Sequence, residues 1–326
     1  MSASGGPTTG TVIEARGLSK VYADFWGRPR VLALDALNLA VLRGEIFGLL
    51  GPNGSGKTTS IKLFLGLLWP TAGEALVLGR PPSDVRVKRS IGYLPEESYF
   101  YHFLTGRETL DFYGRIFGLE RAERRRRTGT LLELVGLAAA ADRRLGEYSK
   151  GMLRRVGLAQ ALVNSPELVI LDEPTSGLDP VGTRQVKDLV VDLKAQGRTV
   201  LVSSHLLADM EDVCDRVAIL HNGKLKRVGR LSELLERTDT TDLQFRGLPE
   251  AARAEVEAEV RRRGGEVLAV SHPRHTLEEF FLETIGAKQP LDKARGREAV
   301  ERPAGQRPSA GSEPRPPEAR QEGPDR

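Results

Sequence analysis

One stretch of the chain combines glycines, a lysine and a hydroxyl residue at the spacing that binds phosphate, GxxxxGK[ST]. The residues that it assigns to a nucleotide are Gly51, Pro52, Asn53, Gly54, Ser55, Gly56, Lys57, Thr58 and Thr59. Glycines let the backbone turn its N–H groups toward an anion, and a following helix adds the positive end of its dipole. The Lys57 ammonium can reach the β- and γ-phosphates, and the Thr58 hydroxyl can bind Mg²⁺. A chance glycine-rich turn is the alternative, but an apolar run at 46–50 and a helical pattern at 59–68 supply the required strand and helix.

A second candidate group is the acidic pair Asp172-Glu173, which follows the apolar run 168–171. At the end of a buried strand, Asp172 would lie near the phosphates and hold Mg²⁺ through water. Glu173 would act as the general base for the attacking water. A solvated strand end is the alternative, but the phosphate-binding loop upstream favours the catalytic role.

Both groups need a sheet whose strand ends meet at one edge. From residue 12 onward, short apolar runs alternate with glycine-rich turns and helical patterns, which predicts an α/β core with a mostly parallel sheet. Between 97 and 164 strand-like runs are absent, and helical patterns cover 108–117 and 128–137. We therefore expect a mainly helical subdomain inserted into the core.

The composition is that of a globular protein. The 326 residues allow about two domains, and 40% are hydrophobic and 28% charged. The 48 Lys and Arg against 44 Asp and Glu leave a net charge of only +4. The basic run 124–127 has acidic neighbours and no interleaved aromatic residues, so a solvated helix face is favoured over a nucleic-acid site.

The sequence also predicts a compartment. A single cysteine, Cys214, excludes an intrachain disulfide and fits a reducing environment. No apolar run approaches the roughly 18 residues of a membrane span, and the first ten residues do not form a secretory signal. We expect a cytoplasmic protein that reaches a membrane only through a partner.

Four further motifs carry a family resemblance. The signature-like stretch is Tyr148-Ser149-Lys150-Gly151-Met152, the D-loop is Ser176-Gly177-Leu178-Asp179, the switch histidine is His205, and Tyr22 stands where an aromatic residue stacks on adenine. Together with the two motifs above, and in the same order over 12–229, they resemble the ATP-binding-cassette (ABC) ATPases, the nucleotide-binding subunits of ABC transporters. The resemblance implies a P-loop NTPase fold with a RecA-like α/β core.

The resemblance also implies how the site is completed. Two cassettes, either two copies or one copy with a near relative, would pair head to tail and hold each ATP between the phosphate loop of one and the signature of the other. Ser149 and the Gly151 N–H would contact the γ-phosphate across that interface, and Asp179 would belong to the same nucleotide site. His205 would hydrogen-bond the γ-phosphate and, with Lys57, stabilise the transferred group.

Two positions depart from the family pattern. Glu96 stands where the family usually has a glutamine that senses Mg²⁺ and the γ-phosphate; it can still bind the metal, but it adds a negative charge near the phosphates. Lys150 and Met152 replace Gly and Gln of the signature, as in ATPase subunits of bacterial exporters with ABC-2-type membrane partners. The aromatic cluster 99–104 follows the Glu96 loop, where the family receives a helix of its membrane partner; packing within the subdomain is the alternative.

These features predict the domains and the activity. We expect a disordered N-terminus at 1–11, an ABC ATPase domain at 12–237 with its helical subdomain at about 97–164, an accessory α+β domain at 238–286 and a disordered tail at 287–326. In the accessory domain, strands are predicted at 242–246 and 266–270 and helices at 249–263 and 276–285. The protein would hydrolyse Mg-ATP to drive a separate integral membrane permease, with export of a small hydrophobic or lipid-like compound as the favoured task.

This reading places the protein on the cytoplasmic face of the cell membrane, held there by the permease, with no nucleic-acid partner. One alternative is a soluble ABC ATPase that acts on ribosomes or DNA as a mechanical switch. A single cassette without a long heptad array weighs against it. Another is a regulatory protein that holds ATP without turnover, which Glu173 and His205 weigh against.

Overall fold

The computed structural model describes residues 10–24, 26, 28–235, 245 and 247–268. Residues up to 235 belong to one compact unit and residues 245–268 to a second, which is described by itself. The strands of the first unit are β1 (Thr11–Ala23), β2 (Pro29–Leu42), β3 (Ile46–Leu50), β4 (Ala72–Val77), β5 (Ile91–Leu94), β6 (Leu168–Asp172), β7 (Thr199–Ser204), β8 (Arg216–His221) and β9 (Lys224–Arg230). Its helices are α1 (Lys57–Phe64), α2 (Val85–Arg89), α3 (Gly106–Ile116), α4 (Arg121–Leu134), α5 (Lys150–Ala161), α6 (Pro180–Ala195), α7 (Leu207–Glu211) and α8 (Leu231–Leu235).

The central sheet has six strands in the order β5-β6-β7-β3-β8-β9. Every neighbouring pair is parallel except β8 and β9. All residues of β3, β6 and β7 are buried, as expected for parallel strands covered on both faces. The predicted α/β core with a mostly parallel sheet is confirmed. Because parallel strands end at the same edge, the segments after β3, β6 and β7 meet there.

A second sheet was not predicted. It is antiparallel, with the order β2-β1-β4. Along β1, buried positions alternate irregularly with half-buried ones, and the register with β2 shifts several times, so the two-residue period typical of a half-buried strand is broken. Buried residues of this sheet pack with Phe64 and Ile61 of α1 and with Phe47 and Leu49 of β3 in one apolar cluster.

The inserted segment between β5 and β6 is helical, as the sequence predicts. It contains α3, α4, α5 and two short 3₁₀ turns at Ala138–Ala140 and Leu145–Glu147. Thr105 and Glu108 form a reciprocal capping box at the start of α3. Helix α4 begins at Arg121, seven positions before the predicted 128, because the arginine run is part of the helix.

The prediction of a solvated helix face is confirmed for Arg125 and Arg126, which are exposed, and is wrong for Arg124 and Arg127. Arg124 is largely buried, and its Nε lies 2.7 Å from Asp111 Oδ1 of α3. Arg127 pairs with Glu123 one turn earlier and donates a 2.8 Å hydrogen bond to the Val163 carbonyl oxygen. These side chains join α4 to its neighbours, a role that Arg fills through several donors on one planar group.

The second unit contains α9 (Glu250–Arg262), within the predicted helix 249–263. Residues 266–268, the described part of a predicted strand, are not in a strand. Disorder is predicted at 1–11, but Gly10 lies in a turn and Thr11 begins β1. Residues 1–9, the predicted helix 276–285 and the tail 287–326 lie outside the described residues, as does most of the strand predicted at 242–246. Within the described ranges, the helices are too short or too polar to cross a membrane.

Candidate functional site

The phosphate-binding loop joins the buried end of β3 to the start of α1. Gly51 and Gly56 adopt φ values of 156° and 105°. A Cβ at Gly51 would lie 2.3 Å from the Leu220 carbonyl oxygen, and one at Gly56 would lie 2.7 Å from the Ala33 carbonyl oxygen, so both positions require glycine. Within the loop, Pro52, Asn53 and Gly54 are exposed, Ser55, Gly56 and Lys57 are buried, and Thr58 and Thr59 are half-buried in the first turn of α1.

Three predicted catalytic side chains meet at the carboxyl edge of the central sheet. Lys57 Nζ lies 3.3 Å from Glu173 Oε1 and donates a 2.7 Å hydrogen bond to the Gly51 carbonyl oxygen. His205 Nδ1 lies 2.8 Å from Glu173 Oε2. Lys57 and Glu173 are each only 5% exposed, whereas the His205 ring is partly open to solvent. A buried carboxylate thus stands between an ammonium and an imidazole, the arrangement of a general base beside charge-stabilising groups.

Asp172 ends β6 beside this cluster. Ser203 of β7 donates a hydrogen bond of 2.5 Å to Asp172 Oδ1. Burial raises the pKa of Asp172, and the hydroxyls of Ser203 and nearby Thr58 oppose that rise. The structure therefore brings Thr58 and Asp172 together across the loop, as the sequence predicts.

Glu173 has a strained backbone, with a φ of 49° in the left-handed region. For a residue with a Cβ this conformation costs about 1–3 kcal/mol and persists only where the surroundings hold it. The Glu173 N–H donates to Ser203 Oγ at 3.0 Å, which fixes one side of the residue. With this backbone conformation, the Glu173 carboxylate lies beside Lys57 at the start of α1.

The signature and D-loop residues form helix caps. Ser149 caps α5, and its Oγ accepts a hydrogen bond from the Met152 N–H at 3.2 Å. Gly151 lies in the first turn of that helix. Asp179 caps α6 by accepting a hydrogen bond from the Gly182 N–H at 2.8 Å. Among the described residues, no hydrogen bond or ion pair joins Ser149, Gly151 or Asp179 to the phosphate loop.

The two remaining site candidates are exposed. Tyr22 lies at the end of β1, with Lys20 Nζ 5.6 Å from its ring centroid. Glu96 follows β5, and its carbonyl oxygen accepts a hydrogen bond of 2.8 Å from Arg154. The structure does not join either side chain to the Lys57–Glu173–His205 cluster.

Sequence reasoning missed two residues that contact the site. Ser203 contacts both Asp172 and Glu173. The pattern that could have identified it is a polar residue near the end of an apolar strand, two positions before His205. Arg154 donates hydrogen bonds to the backbone carbonyl oxygens of Asp172 and Glu173. No sequence signal separates Arg154 from Arg155, because adjacent arginines on a helix look alike until the buried face is known.

Comparisons with known proteins identify the family of the chain. The model of the ABC transporter family matches residues 34–176. An uncharacterized ABC transporter ATP-binding protein of Synechocystis is 47% identical over 249 residues, 76% of this chain and 70% of that protein. A fluoroquinolones export ATP-binding protein of Mycobacterium tuberculosis is 42% identical over 225 residues, 68% of this chain and 72% of that protein.

A solved structure extends the likeness to three dimensions. It is a dimer of an ATP-binding cassette in a post-hydrolysis state, bound to ADP and phosphate. The match has a TM-score of 0.62 and 26% identity, and covers 67% of this chain and 98% of that one. With the phosphate loop, the buried acidic pair and the histidine in place, the chain belongs to the ABC transporter family and is an ATP-hydrolysing, ATP-binding subunit of an ABC transporter.

Proposed function

We propose that Glu173 is the general base of this ATPase and that hydrolysis drives a separate membrane permease in the direction of export. The observation that carries the catalytic part is the position of the Glu173 carboxylate, 3.3 Å from Lys57 Nζ and 2.8 Å from His205 Nδ1. A carboxylate beside the phosphate-binding lysine is placed to accept a proton from water that attacks the γ-phosphorus.

Each residue has a separate role in this reaction. Water attacks the γ-phosphorus in line, its proton passes to Glu173, and the bond to the β,γ-bridging oxygen breaks to leave ADP and phosphate. Lys57 balances charge on the β- and γ-phosphates, and His205 hydrogen-bonds the transferred group. The loop N–H groups orient the phosphates, and Tyr22 stacks on the adenine ring.

The residues around Asp172 fit Mg²⁺. Asp172 Oδ2 is buried and has no hydrogen-bond partner of ordinary geometry, so an oxygen ligand for a hard cation is free there. Thr58 and Asp172 would hold the ion, with Glu96 as a further oxygen ligand. Bound Mg²⁺ neutralises charge that develops on the phosphates.

We propose a head-to-tail pair of cassettes. Ser149 and Gly151 stand at the N-terminus of α5, the helix end that favours an anion, and no hydrogen bond or ion pair within the described part of the chain joins them to the phosphate loop. Their natural partner is the γ-phosphate held by a second cassette, with Asp179 in the same interface. The solved dimer of a related cassette supports pairing. The second cassette is either another copy of this chain or a near relative.

Four exposed aromatic residues form the proposed docking surface for the permease. This aromatic surface is defined as Tyr99, Tyr101, Phe103 and Phe112. Tyr101 contacts Phe103 and Phe112 with ring centroids 5.7 and 6.3 Å apart, and Tyr99 and Phe103 are 85% and 68% exposed. Contiguous exposed aromatic residues mark protein interfaces.

Docking there would hold the subunit on the cytoplasmic face of the membrane. The name of the mycobacterial relative supports export as the task.

The experiment that tests this proposal captures the subunit with its partner. Tagged Glu173→Gln is expressed in its native cell, membranes are solubilised in the presence of ATP, and proteins that copurify are identified. We expect a polytopic membrane protein in stoichiometric amount. Recovery of ribosomal proteins, DNA or the subunit alone would overturn the transporter coupling and leave a soluble mechanical ATPase.

A further inference from the structure

Arg154 is a buried cation in the second turn of α5. Its side chain lies inside the protein, with the residue only 6% exposed, whereas the neighbouring Arg155 remains half-buried. Charged residues are almost never buried to this degree unless they are paired. Each of its polar contacts to other groups is therefore informative about why the charge is kept there.

The guanidinium donates five hydrogen bonds, all to backbone carbonyl oxygens. Nη2 donates to Asp172 and Glu173 at 2.6 and 2.7 Å, and Nε donates to Pro174 at 3.2 Å. Nη1 donates to Glu96 and Pro95, with a distance of 2.8 Å to the Glu96 oxygen. An arginine side chain has five N–H donors, so its hydrogen-bonding capacity is fully used.

These acceptors belong to two separate catalytic segments. One is 172–174 at the end of β6, which carries the base and the predicted metal ligand. The other is 95–96 after β5, which carries Glu96. The planar, forked shape of the guanidinium lets one side chain reach both segments, which a lysine ammonium with three donors on one atom does not match.

The charge also acts on the acidic groups of the site. Burial lowers the pKa of Arg154 to about 10, and the carboxylates of Asp172, Glu96 and Glu173 oppose that fall. The group stays protonated at neutral pH. Glu96 adds a negative charge where the family usually has glutamine, and Arg154 is the cation bonded to the backbone of that same residue.

We propose that Arg154 is a positioning residue that holds the strained Glu173 backbone and the Glu96 segment in register with α5. The inference rests on the proposed role of Glu173 as general base. The Glu173 N–H is held by Ser203, and Arg154 holds the carbonyl oxygens before and after it, so both sides of the left-handed residue are fixed. Because Ser149 caps the N-terminus of α5, the signature and both catalytic segments are tied to one helix through Arg154.

The test compares Arg154→Lys and Arg154→Gln with Arg155→Gln in the full-length chain. Arg155 is a matched control, since its Nη1 also donates to backbone oxygens, at 3.2 Å to Val135 and 3.4 Å to Gly136, outside the site. We expect both Arg154 variants to lower kcat about 10- to 100-fold, the range for lost hydrogen bonds from a charged donor. The Kd for ATP should change less than about threefold, and Arg155→Gln should change neither.

The split between kcat and Kd separates positioning from a purely structural role. Arg154→Lys keeps the charge and serves if Arg154→Gln is unstable. Wild-type kcat in both Arg154 variants overturns the inference. So does a parallel loss of ATP binding and kcat, or unfolding of both variants below the assay temperature, because Arg154 would then only maintain the fold. Glu173→Gln is measured in the same assay. If Glu173→Gln hydrolyses ATP at the wild-type rate, the proposed general base is wrong. If Glu173→Gln is inactive and both Arg154 variants are fully active, only the inference about Arg154 is wrong.

Discussion

The nucleotide site and the aromatic surface are built in opposite ways. In the site, charged and polar side chains are buried and contact one another: Lys57 contacts Glu173, and Ser203 contacts Asp172. On the aromatic surface, the rings are exposed, and Tyr101 contacts Phe103 and Phe112. Burying charged groups and exposing aromatic groups both lower the stability of a fold, so each feature is expected to serve a function.

The difference separates the two proposed functions. Buried, mutually bonded charges have their geometry fixed before substrate arrives, which is what electrostatic catalysis needs. Exposed rings gain most of their stabilisation only when a second surface covers them, which is what a docking site needs. Substitutions in the site are therefore expected to change chemistry or ATP binding, and substitutions on the aromatic surface are expected to change coupling to the permease.

The strongest test of the buried region is Glu173→Gln. It removes the proton acceptor and keeps the size of the side chain, so we expect ATP hydrolysis to fall about 10²- to 10⁴-fold, the range for loss of a general base. ATP affinity should be retained because the phosphate loop is untouched. Phosphate release and equilibrium ATP binding measure the two quantities. Hydrolysis at the wild-type rate would assign proton transfer to another group.

Lys57→Ala is expected to act on binding. It removes charge-assisted hydrogen bonds to the phosphates worth about 1.5–3 kcal/mol, which corresponds to a Kd for ATP roughly 10- to 150-fold higher. It also leaves the buried Glu173 carboxylate without its cation. Titration calorimetry with ATP measures the change, and Lys62→Ala, an exposed lysine on the same helix, is the control. Unchanged affinity in Lys57→Ala would contradict the assignment of the phosphate loop.

The aromatic surface is tested by the double substitution Tyr101→Ala with Phe103→Ala. Both residues are exposed, so we expect stability within about 0.5 kcal/mol and ATPase activity of the isolated subunit within about twofold. Recovery of the membrane partner in the capture experiment should fall about tenfold or more, since buried aromatic anchors carry much of the energy of an interface. Trp69→Ala, another exposed aromatic residue, should leave recovery unchanged. Normal recovery with the double variant would place docking elsewhere.

The same contrast explains what the sequence could predict. The phosphate loop, Asp172 and Glu173 follow fully buried apolar strands, and for parallel strands the apolar run itself predicts which ends meet. The helical insertion was also visible, because its periodicity changes from that of the flanking strands. The antiparallel sheet was missed since bulges in β1 break the two-residue period.

Arg154 could not have been found, because its role depends on which of two adjacent arginines faces inward. Local patterns predict which residues carry chemistry. They do not predict which backbone oxygens a buried side chain will reach from a distant helix. Arg154, for example, bonds Pro95 and Glu96, which precede it in the chain by 59 and 58 positions. The backbone strain at Glu173 was equally hidden, since no residue type at 173 requires a positive φ.

Tyr22 sharpens the comparison because it is exposed like the aromatic surface but is assigned to the nucleotide. If its ring stacks on adenine, Tyr22→Ala should weaken ATP binding about 2- to 10-fold, the effect of an aromatic contact of about 0.5–1.5 kcal/mol. Tyr22→Phe should keep wild-type affinity, since the ring face and not the hydroxyl makes the contact. Competition binding with ATP and with inorganic triphosphate separates base from phosphate: the alanine variant should lose affinity for ATP and keep it for triphosphate. Equal affinities for ATP in the wild type, Tyr22→Ala and Tyr22→Phe would show that Tyr22 does not contact the nucleotide. The exposure of a residue would then predict its function in this chain better than its position in a motif does.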